Sequence, residues 1–247
     1  MCRALLLLCG TALLASCLST GGPRAEKYFV DAQSRALAEA ARVGDAKRIA
    51  ALISAGVDVN AKGRGNLTAV TWALLHQSKV GFSYLLTQGA DPNIQLTESF
   101  DDILLEGRSA MAYASMHKDS WYLKEALKVR GNPNLVNSTR SFTPIMDSIS
   151  SRRPDNVRLL LAAGANPNWQ NRDGQTPMMI AATSNQYDVV YTLLEAGADP
   201  RLQTTWGTTI VSVIKLIRTD PKSEQWKWRA RVIERLVSAG LDFENGR

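Results

Sequence analysis

Hydrophobic residues recur along the chain in short blocks separated by polar turn signals. A typical unit has a first run of small residues, as around Ala181, and a second run with Leu-Leu or Ile at helical spacing, as around Leu193. Apolar positions three and four residues apart line one face of a helix. Each unit ends in a turn similar to Gly-Ala-Asp-Pro-Asn, in which glycine takes the left-handed conformation that ends a helix. The pattern predicts pairs of short helices that must stack to bury their apolar faces.

The turn signals recur at a constant period. Gly56 and Gly89 are 33 residues apart, and Gly164 and Gly197 repeat that interval. A Thr or Ser upstream of each turn suits a helix start, because its hydroxyl can accept from unpaired backbone N–H groups. The distance from this residue to the end of the turn is 25 residues in four units: Thr68 to Asn93, Ser109 to Asn134, Thr143 to Asn168 and Thr176 to Arg201. Six units are predicted, at residues 33–62, 63–96, 105–137, 138–170, 171–203 and 204–243.

The clearest unit resembles the ankyrin-repeat family. Its two helices read Asp-Gly-Gln-Thr-Pro-Met-Met-Ile-Ala-Ala over residues 173–182 and Val-Val-Tyr-Thr-Leu-Leu-Glu-Ala-Gly-Ala-Asp-Pro over residues 189–200. The resemblance covers residues 33–243 and implies an all-α ankyrin-repeat solenoid of about six helix-turn-helix repeats with hairpin fingers. The ankyrin-repeat domain is predicted over residues 33–247. The atypical first and last units are expected to be terminal caps, which have one face in water.

Two insertions depart from the repeat. Residues 97–107 add about eight residues to one finger and place Phe100, Ile103 and Leu104 among acidic residues such as Asp101. This segment is either a contact element for a partner or an apolar cover over the array. It lacks the alternating oxygen ligands of a calcium loop. Residues 218–228 add about ten residues between the last two helices.

The N-terminus is typical of a bacterial lipoprotein. Arg3 precedes an apolar run over residues 4–16, which has the length of a signal-peptide core and is too short to span a bilayer comfortably. Leu-Ala-Ser-Cys at residues 14–17 resembles a lipobox, which predicts a signal peptide over residues 1–16 and lipidation at Cys17. Residues 17–32 are then the lipidated N-terminus and tether. An ordinary cleaved signal is the alternative. Leu18 favours the outer membrane, with the inner membrane as the second choice.

The composition restricts which catalytic and metal-binding sites the chain can contain. The 247 residues carry a net charge of +6, which permits acidic partners without requiring nucleic acid. All three cysteines lie in the first 17 residues, which excludes a cysteine-ligated metal domain in the body. No catalytic motif is present, so we expect neither an enzyme nor a cofactor. His76 and His117 occupy equivalent positions in two repeats, where they are either surface or partner-facing residues or, less favourably, a metal site. We predict no bound metal.

The ankyrin resemblance also implies where a partner binds. Ankyrin proteins bind through the fingertips and the exposed sides of the first helices, and Arg and Trp are frequent at interface hot spots. The residues carried over to these positions, together with the 97–107 segment, are Arg64, Phe100, Asp101, Ile103, Leu104, Arg108, Met116, His117, Arg140, Phe142, Trp169, Arg172, Asp173 and Trp206.

The sequence therefore predicts a protein-binding module in the periplasm, tethered to a membrane through its N-terminal lipid. Bacterial ankyrin lipoproteins of this kind resemble those encoded beside secreted antibacterial toxins, including type VI phospholipase effectors. That resemblance implies an immunity protein that binds and occludes a toxin. The alternative is an envelope scaffold or stress-related adaptor for a housekeeping periplasmic enzyme.

Overall fold

The computed structural model describes residues 25–100 and 104–243. Cys17, Asp101 and Ile103 lie outside these residues. The described chain contains twelve α-helices, two 3-10 turns at Ala25–Lys27 and Arg64–Asn66, and no strand beyond an isolated bridge between Lys62 and Thr68. The helices are α1 (Ala32–Val43), α2 (Ala46–Ser54), α3 (Ala69–Leu75), α4 (Lys79–Thr87), α5 (Ala110–Met116), α6 (Trp121–Lys128), α7 (Pro144–Ser150), α8 (Pro154–Ala162), α9 (Pro177–Thr183), α10 (Tyr187–Glu195), α11 (Ile210–Leu216) and α12 (Glu224–Ser238).

The chain divides between Asn132 and Pro133 into two compact units of six helices each. In the first unit, α1, α3 and α5 pack side by side, and α2, α4 and α6 form a second row. In the second unit, α7, α9 and α11 form the corresponding row, and α10 packs between α8 and α12. The predicted helix-turn-helix repeats are confirmed in both units. Within the described residues, no helix has the length and apolarity that crossing a bilayer requires.

The first helices begin where the Thr and Ser signals predict. The side chains of Thr68, Ser109, Thr176 and Thr209 accept hydrogen bonds from the backbone N–H three residues later. These hydroxyls satisfy donors that have no partner inside the helix. Thr143 also precedes its helix, but its buried hydroxyl does not cap the helix and has no partner.

Small residues allow neighbouring first helices to pack closely. Ala40, Ala73, Ala114 and Ala181 lie at the same position of four first helices and are buried, and the equivalent position of α7 holds the buried Ser148. The packed domain also extends further towards the N-terminus than predicted. Tyr28 and Phe29 are buried against Trp72, with ring centres 5.5 and 5.8 Å from it. Residues from Ala25 onward therefore belong to the folded unit and not to the tether predicted over 17–32.

Asparagines at the ends of the repeats join each turn to the next. In the second unit, Asn168 donates to the carbonyl oxygen of Gly197 at 3.3 Å and accepts from the N–H of Asp199 at 2.7 Å. Asn60 makes the same two bonds to Gly89 and Asp91 in the first unit. These bonds explain why the interval from the helix start to this residue is constant.

Arg130 stands where the other turns have glycine. Its φ of 81° lies in the same left-handed region as the φ of 85° at Gly164. The turn therefore keeps the repeat conformation, although an L side chain adopts it at a cost of about 1–2 kcal/mol. Its carbonyl oxygen accepts from Asn93 at 2.8 Å, which continues the asparagine pattern through this turn.

Candidate protein-binding surface

Exposed side chains cluster on the fingertips of the second unit. We name the set Arg140, Phe142, Trp169, Arg172, Asp173 and Trp206 the C-terminal finger surface. Arg140, Arg172, Asp173 and Trp206 are exposed, and Phe142 and Trp169 are half-buried. The sequence predicted fingertip or first-helix positions for five of the six and placed Trp169 between the fingertips, and bonds to the finger of repeat four hold Trp169 and Arg172 in place.

Trp169 and Arg172 connect two neighbouring fingers. The Nε1–H of Trp169 donates to the carbonyl oxygen of Ser141 at 2.9 Å. The Arg172 guanidinium donates to Ser141 Oγ at 3.1 Å and to the carbonyl oxygen of Ser138 at 2.8 Å. Arginine has five N–H donors, so this geometry leaves others for a partner. The finger that opens repeat four therefore fixes the orientation of Trp169, at the end of the same repeat, and of Arg172, at the start of repeat five.

Arg140 and Phe142 form a cation–π pair at the tip of repeat four. The guanidinium carbon lies 4.2 Å from the ring centre, well within the range of this attraction. The tip is shaped by Asn137, whose side-chain oxygen accepts from the N–H groups of Thr139 and Arg140 at 2.9 Å each. Asn171 has the same role in the next finger, where it accepts from Asp173 and Gln175. The sequence did not indicate the role of these two asparagines, which lie 34 residues apart, one more than the repeat period.

Asp173 and Trp206 lie on the last two fingers. The carbonyl oxygen of Asp173 accepts from the N–H of Thr205 at 3.0 Å, one residue before Trp206. Trp206 is 75% exposed. An exposed indole has a large apolar face and one N–H donor, which suits a protein interface.

The insertion in the first unit folds inward. The ring of Phe100 contacts that of Tyr28 edge-on at 5.2 Å, and the Arg64 guanidinium lies 5.0 Å from its centre. Arg64 also forms an ion pair with Glu98 at 3.1 Å. The N–H of Phe100 donates to the carbonyl oxygen of Leu104, which closes the segment into a loop. The described part of the insertion therefore covers the array. Arg64 contacts Phe100 and Glu98 of this segment and is otherwise exposed to solvent.

Three predicted contact residues are buried within the first unit. Leu104 is 2% exposed, and Arg108 and His117 are each 7% exposed. Arg108 donates from Nη1 to the sulfur of Met116, and its guanidinium lies 5.7 Å from the ring centre of Tyr113. Their burial removes Leu104, Arg108 and His117 from the proposed contact surface. Met116, which accepts from Arg108, is half-buried.

The two histidines are packing residues. His76 Nδ1 lies 3.0 Å from the carbonyl oxygen of Trp72, and its ring centre is 4.3 Å from that of Trp72. Burial lowers the pKa of His76 below its ordinary value. His117 Nδ1 accepts from the N–H of Asp119 at 3.0 Å, and its ring packs against Tyr122. Among the described residues, no group of three or more His, Cys, Asp or Glu side chains could hold a metal ion.

Sequence comparison finds ankyrin repeats in this chain. A family model described as ankyrin repeats, in three copies, matches residues 111–204. The mitochondrial disaggregase of Bos taurus is 30% identical over 171 residues, which cover 67% of this chain and 22% of the relative. Protein PhlB of Serratia liquefaciens is 33% identical over 141 residues, which cover 57% of this chain and 58% of PhlB. The chain thus spans less than two thirds of the length of these relatives.

Solved structures share the same fold. The ankyrin-repeat domain of Bcl-3 is similar with a TM-score of 0.67 at 21% identity, covering 80% of this chain and 81% of that one. An ankyrin-repeat domain from Acinetobacter baumannii matches with a TM-score of 0.67 at 24% identity, covering 83% and 98%. A chain from the complex of the Bdellovibrio bacteriovorus predatory endopeptidase Bd0816 with immunity protein Bd3460 has a TM-score of 0.62 at 21% identity, covering 82% and 98%.

The predicted all-α ankyrin-repeat solenoid is thereby confirmed. Ankyrin arrays present extended surfaces that bind other proteins. Residues 111–204 match the ankyrin-repeat family model, and the C-terminal finger surface has the residue types that protein interfaces use.

Proposed function

We propose that this chain is an immunity protein that binds and occludes a secreted antibacterial hydrolase in the periplasm. The most specific form of the proposal is a phospholipase-type effector of a type VI secretion system. Lipid at Cys17 would anchor the protein to the outer membrane, or to the inner membrane as the alternative. Two acyl chains or more hold a protein stably at a bilayer, where one chain is marginal.

The observation that carries this proposal is the C-terminal finger surface. Trp206 and Arg172 belong to the residue types that contribute most of the binding energy at protein interfaces. The bonds from Trp169 and Arg172 to Ser141 and Ser138 order the fingers before a partner arrives. Preorganisation reduces the entropy lost on binding, which favours a tight complex.

A structural neighbour supports the choice of partner class. One chain similar in fold comes from a complex between an endopeptidase and an immunity protein. An ankyrin array is therefore compatible with a complex of that kind. The anchor is supported by the sequence of residues 14–17 and the apolar run before it.

The test is capture followed by inhibition. The purified chain is immobilised and exposed to the secreted proteins of the bacterium that encodes it, and the activity of each captured hydrolase is then titrated with the chain. The proposal requires one hydrolase whose activity falls to near zero at about one equivalent. Capture of several envelope proteins without inhibition would instead support the scaffold or adaptor function.

Lipidation is tested separately. Cells that express the chain are fed a labelled fatty acid, and the label is compared between the natural sequence and Cys17→Ser. Label in the natural sequence alone, with release of the variant from the membrane fraction, supports the anchor. Equal labelling of both forms, or of neither, contradicts it.

A further inference from the structure

The last repeat has a second exposed surface that the finger surface does not include. The insertion predicted over residues 218–228 becomes a short loop and an extended start of α12, which has 15 residues where α10 has nine. Around this insertion lie exposed basic and apolar side chains. We name Lys215, Leu216, Arg218, Lys222, Trp226 and Lys227 the terminal cationic surface.

The inner side of the insertion is fixed to the array. Gln225 accepts from the N–H of Tyr187 at 2.6 Å and donates to the Asp188 carboxylate at 2.9 Å, which caps the start of α10. The ring of Trp228 packs at 5.5 Å from that of Tyr191. These contacts hold α12 in place and leave the opposite side of its first turn exposed.

Arg229 links the first turn of α12, including Trp226, to the end of α11. Arg229 donates to the carbonyl oxygen of Ile214 at 3.2 Å, and its guanidinium lies 5.5 Å from the ring centre of Trp226. Arg229 thus joins the first turn of α12 to the last turn of α11. Leu216, at the end of α11, is 78% exposed, and Trp226 is 40% exposed. Neither side chain is needed to fill the core.

The local charge is strongly positive. Residues 215–231 contain six Lys or Arg and only Asp220 and Glu224 as acids. Glu224 is already paired with Lys227 at 2.6 Å. Lys215, Arg218 and Lys222 are all exposed and lie close in sequence to Leu216 and Trp226.

We propose that the terminal cationic surface binds the surface of a bilayer that contains anionic phospholipids. Lys and Arg meet the lipid phosphates, while Trp226 and Leu216 enter the headgroup region, where Trp is favoured. The long stems of Lys and Arg let their charges reach the headgroups around an inserted apolar side chain. The binding proposed here is independent of the N-terminal lipid and goes beyond hydrolase inhibition.

The test is vesicle flotation of the full chain at low salt. Vesicles of phosphatidylcholine are compared with vesicles that contain phosphatidylglycerol. An apolar or lipidated N-terminus contributes to both, so the ratio of the two partition coefficients measures the cationic surface. We expect a ratio well above one that falls as salt screens the charges.

Two variants of the surface are compared with a matched control. The triple variant Lys215→Glu, Arg218→Glu, Lys222→Glu is expected to lower the ratio at least about tenfold, because each cation near an anionic bilayer adds substantially to binding. Leu216→Ser is expected to lower anionic-vesicle binding several-fold without changing the charge. The control variant Lys47→Glu, Arg48→Glu, Lys124→Glu makes the same charge change on the first unit. We expect it to lower the ratio of the partition coefficients only slightly. Circular dichroism verifies that every variant is folded.

Three outcomes would overturn the proposal. A ratio near one for the natural sequence excludes anionic-lipid binding, and an equal loss in the control triple assigns it to net charge alone. A surface triple that abolishes hydrolase inhibition but not vesicle binding assigns the surface to a protein partner. If the triple variant of the surface loses vesicle binding but still inhibits the hydrolase, lipid binding and the proposed immunity function are separate properties.

Discussion

The indole Nε1–H of Trp169 donates to the carbonyl oxygen of Ser141 at 2.9 Å. Ser141 lies in the finger that opens repeat four, where its φ of 56° is left-handed, and Trp169 lies in the turn that leads from that repeat into the next finger. Arg172 binds the hydroxyl of the same serine at 3.1 Å. One serine therefore orders two nearby side chains, and the binding surface is formed before any partner arrives.

Asn168 is expected to stabilise the second unit. Replacement by Ala removes a donor to Gly197 and an acceptor for Asp199, and each hydrogen bond contributes about 0.5–1.5 kcal/mol net. We predict that Asn168→Ala lowers the free energy of unfolding by about 1–2 kcal/mol in a denaturant titration. Asn168→Asp keeps the acceptor and loses the donor, so its cost should be smaller. Equal stability of all three forms would contradict the role assigned to the asparagines.

Arg130 is a site where stability can be gained. Its φ of 81° is strained for an L residue and free of strain for glycine. Glycine also loses more backbone entropy on folding, so we predict a net gain of only about 0.5–1 kcal/mol for Arg130→Gly. Arg130→Val should lose stability, because a β-branched residue tolerates this conformation worst. Thermal unfolding of the three forms gives their order of stability. A glycine variant less stable than the valine variant would contradict the left-handed conformation assigned to residue 130.

Phe100 is expected to stabilise the first unit without contributing to inhibition. It is half-buried against Tyr28 and Arg64, so Phe100→Ala should cost about 2 kcal/mol, less than the 3–5 kcal/mol of a fully buried phenylalanine. Glu98→Gln breaks only an exposed ion pair and should cost less than about 1 kcal/mol. Hydrolase inhibition at a temperature where both variants are folded should be unchanged. A loss of inhibition there would show that the insertion contacts the partner.

His76 makes the first unit sensitive to mild acid. Burial lowers the pKa of His76 in the folded state, so the unfolded state binds the proton more readily. The stability that neutral His76 contributes is present above the ordinary histidine pKa of about 6.5 and is lost as the pH falls below it. Asn can keep a donor to the Trp72 carbonyl oxygen but does not titrate. Denaturant titrations at pH 7.5 and 5 should therefore show a smaller loss for His76→Asn than for the natural sequence, and equal losses would contradict this.

Local signals made most of the fold predictable. The hydroxyl before each first helix and the asparagine after each second helix act on backbone groups near them, so their spacing is visible in the sequence. Thr68 makes the capping bond that its signal predicts, whereas for Asn168 only the constant spacing, and not its bond to Gly197, was predicted. The left-handed turn at Arg130 was not foreseen, because the packing of adjacent repeats overrides the preference of a single residue.

The contact surface was only partly predictable for a related reason. The exposed fingertip positions of Arg172 and Trp206 can be predicted from the repeat register alone. Arg108 and His117 occupy comparable register positions and Leu104 lies in the insertion, but all three are buried. Their burial depends on tertiary packing of the first unit, including the contact of Arg108 with Tyr113 and of His117 with Tyr122. These contacts cannot be predicted from the periodic pattern of the sequence.

We propose that the C-terminal finger surface binds and inhibits a secreted hydrolase. The most direct measurement is a titration of the captured hydrolase with the natural chain, with Arg172→Ala, Trp206→Ala, and with the control Lys47→Ala, Lys124→Ala. We predict full inhibition by the natural chain and the control at about one equivalent. The finger variant should need at least about a hundredfold more protein, since two hot-spot truncations together cost about 3 kcal/mol or more. Equal inhibition by all three proteins would contradict the claim.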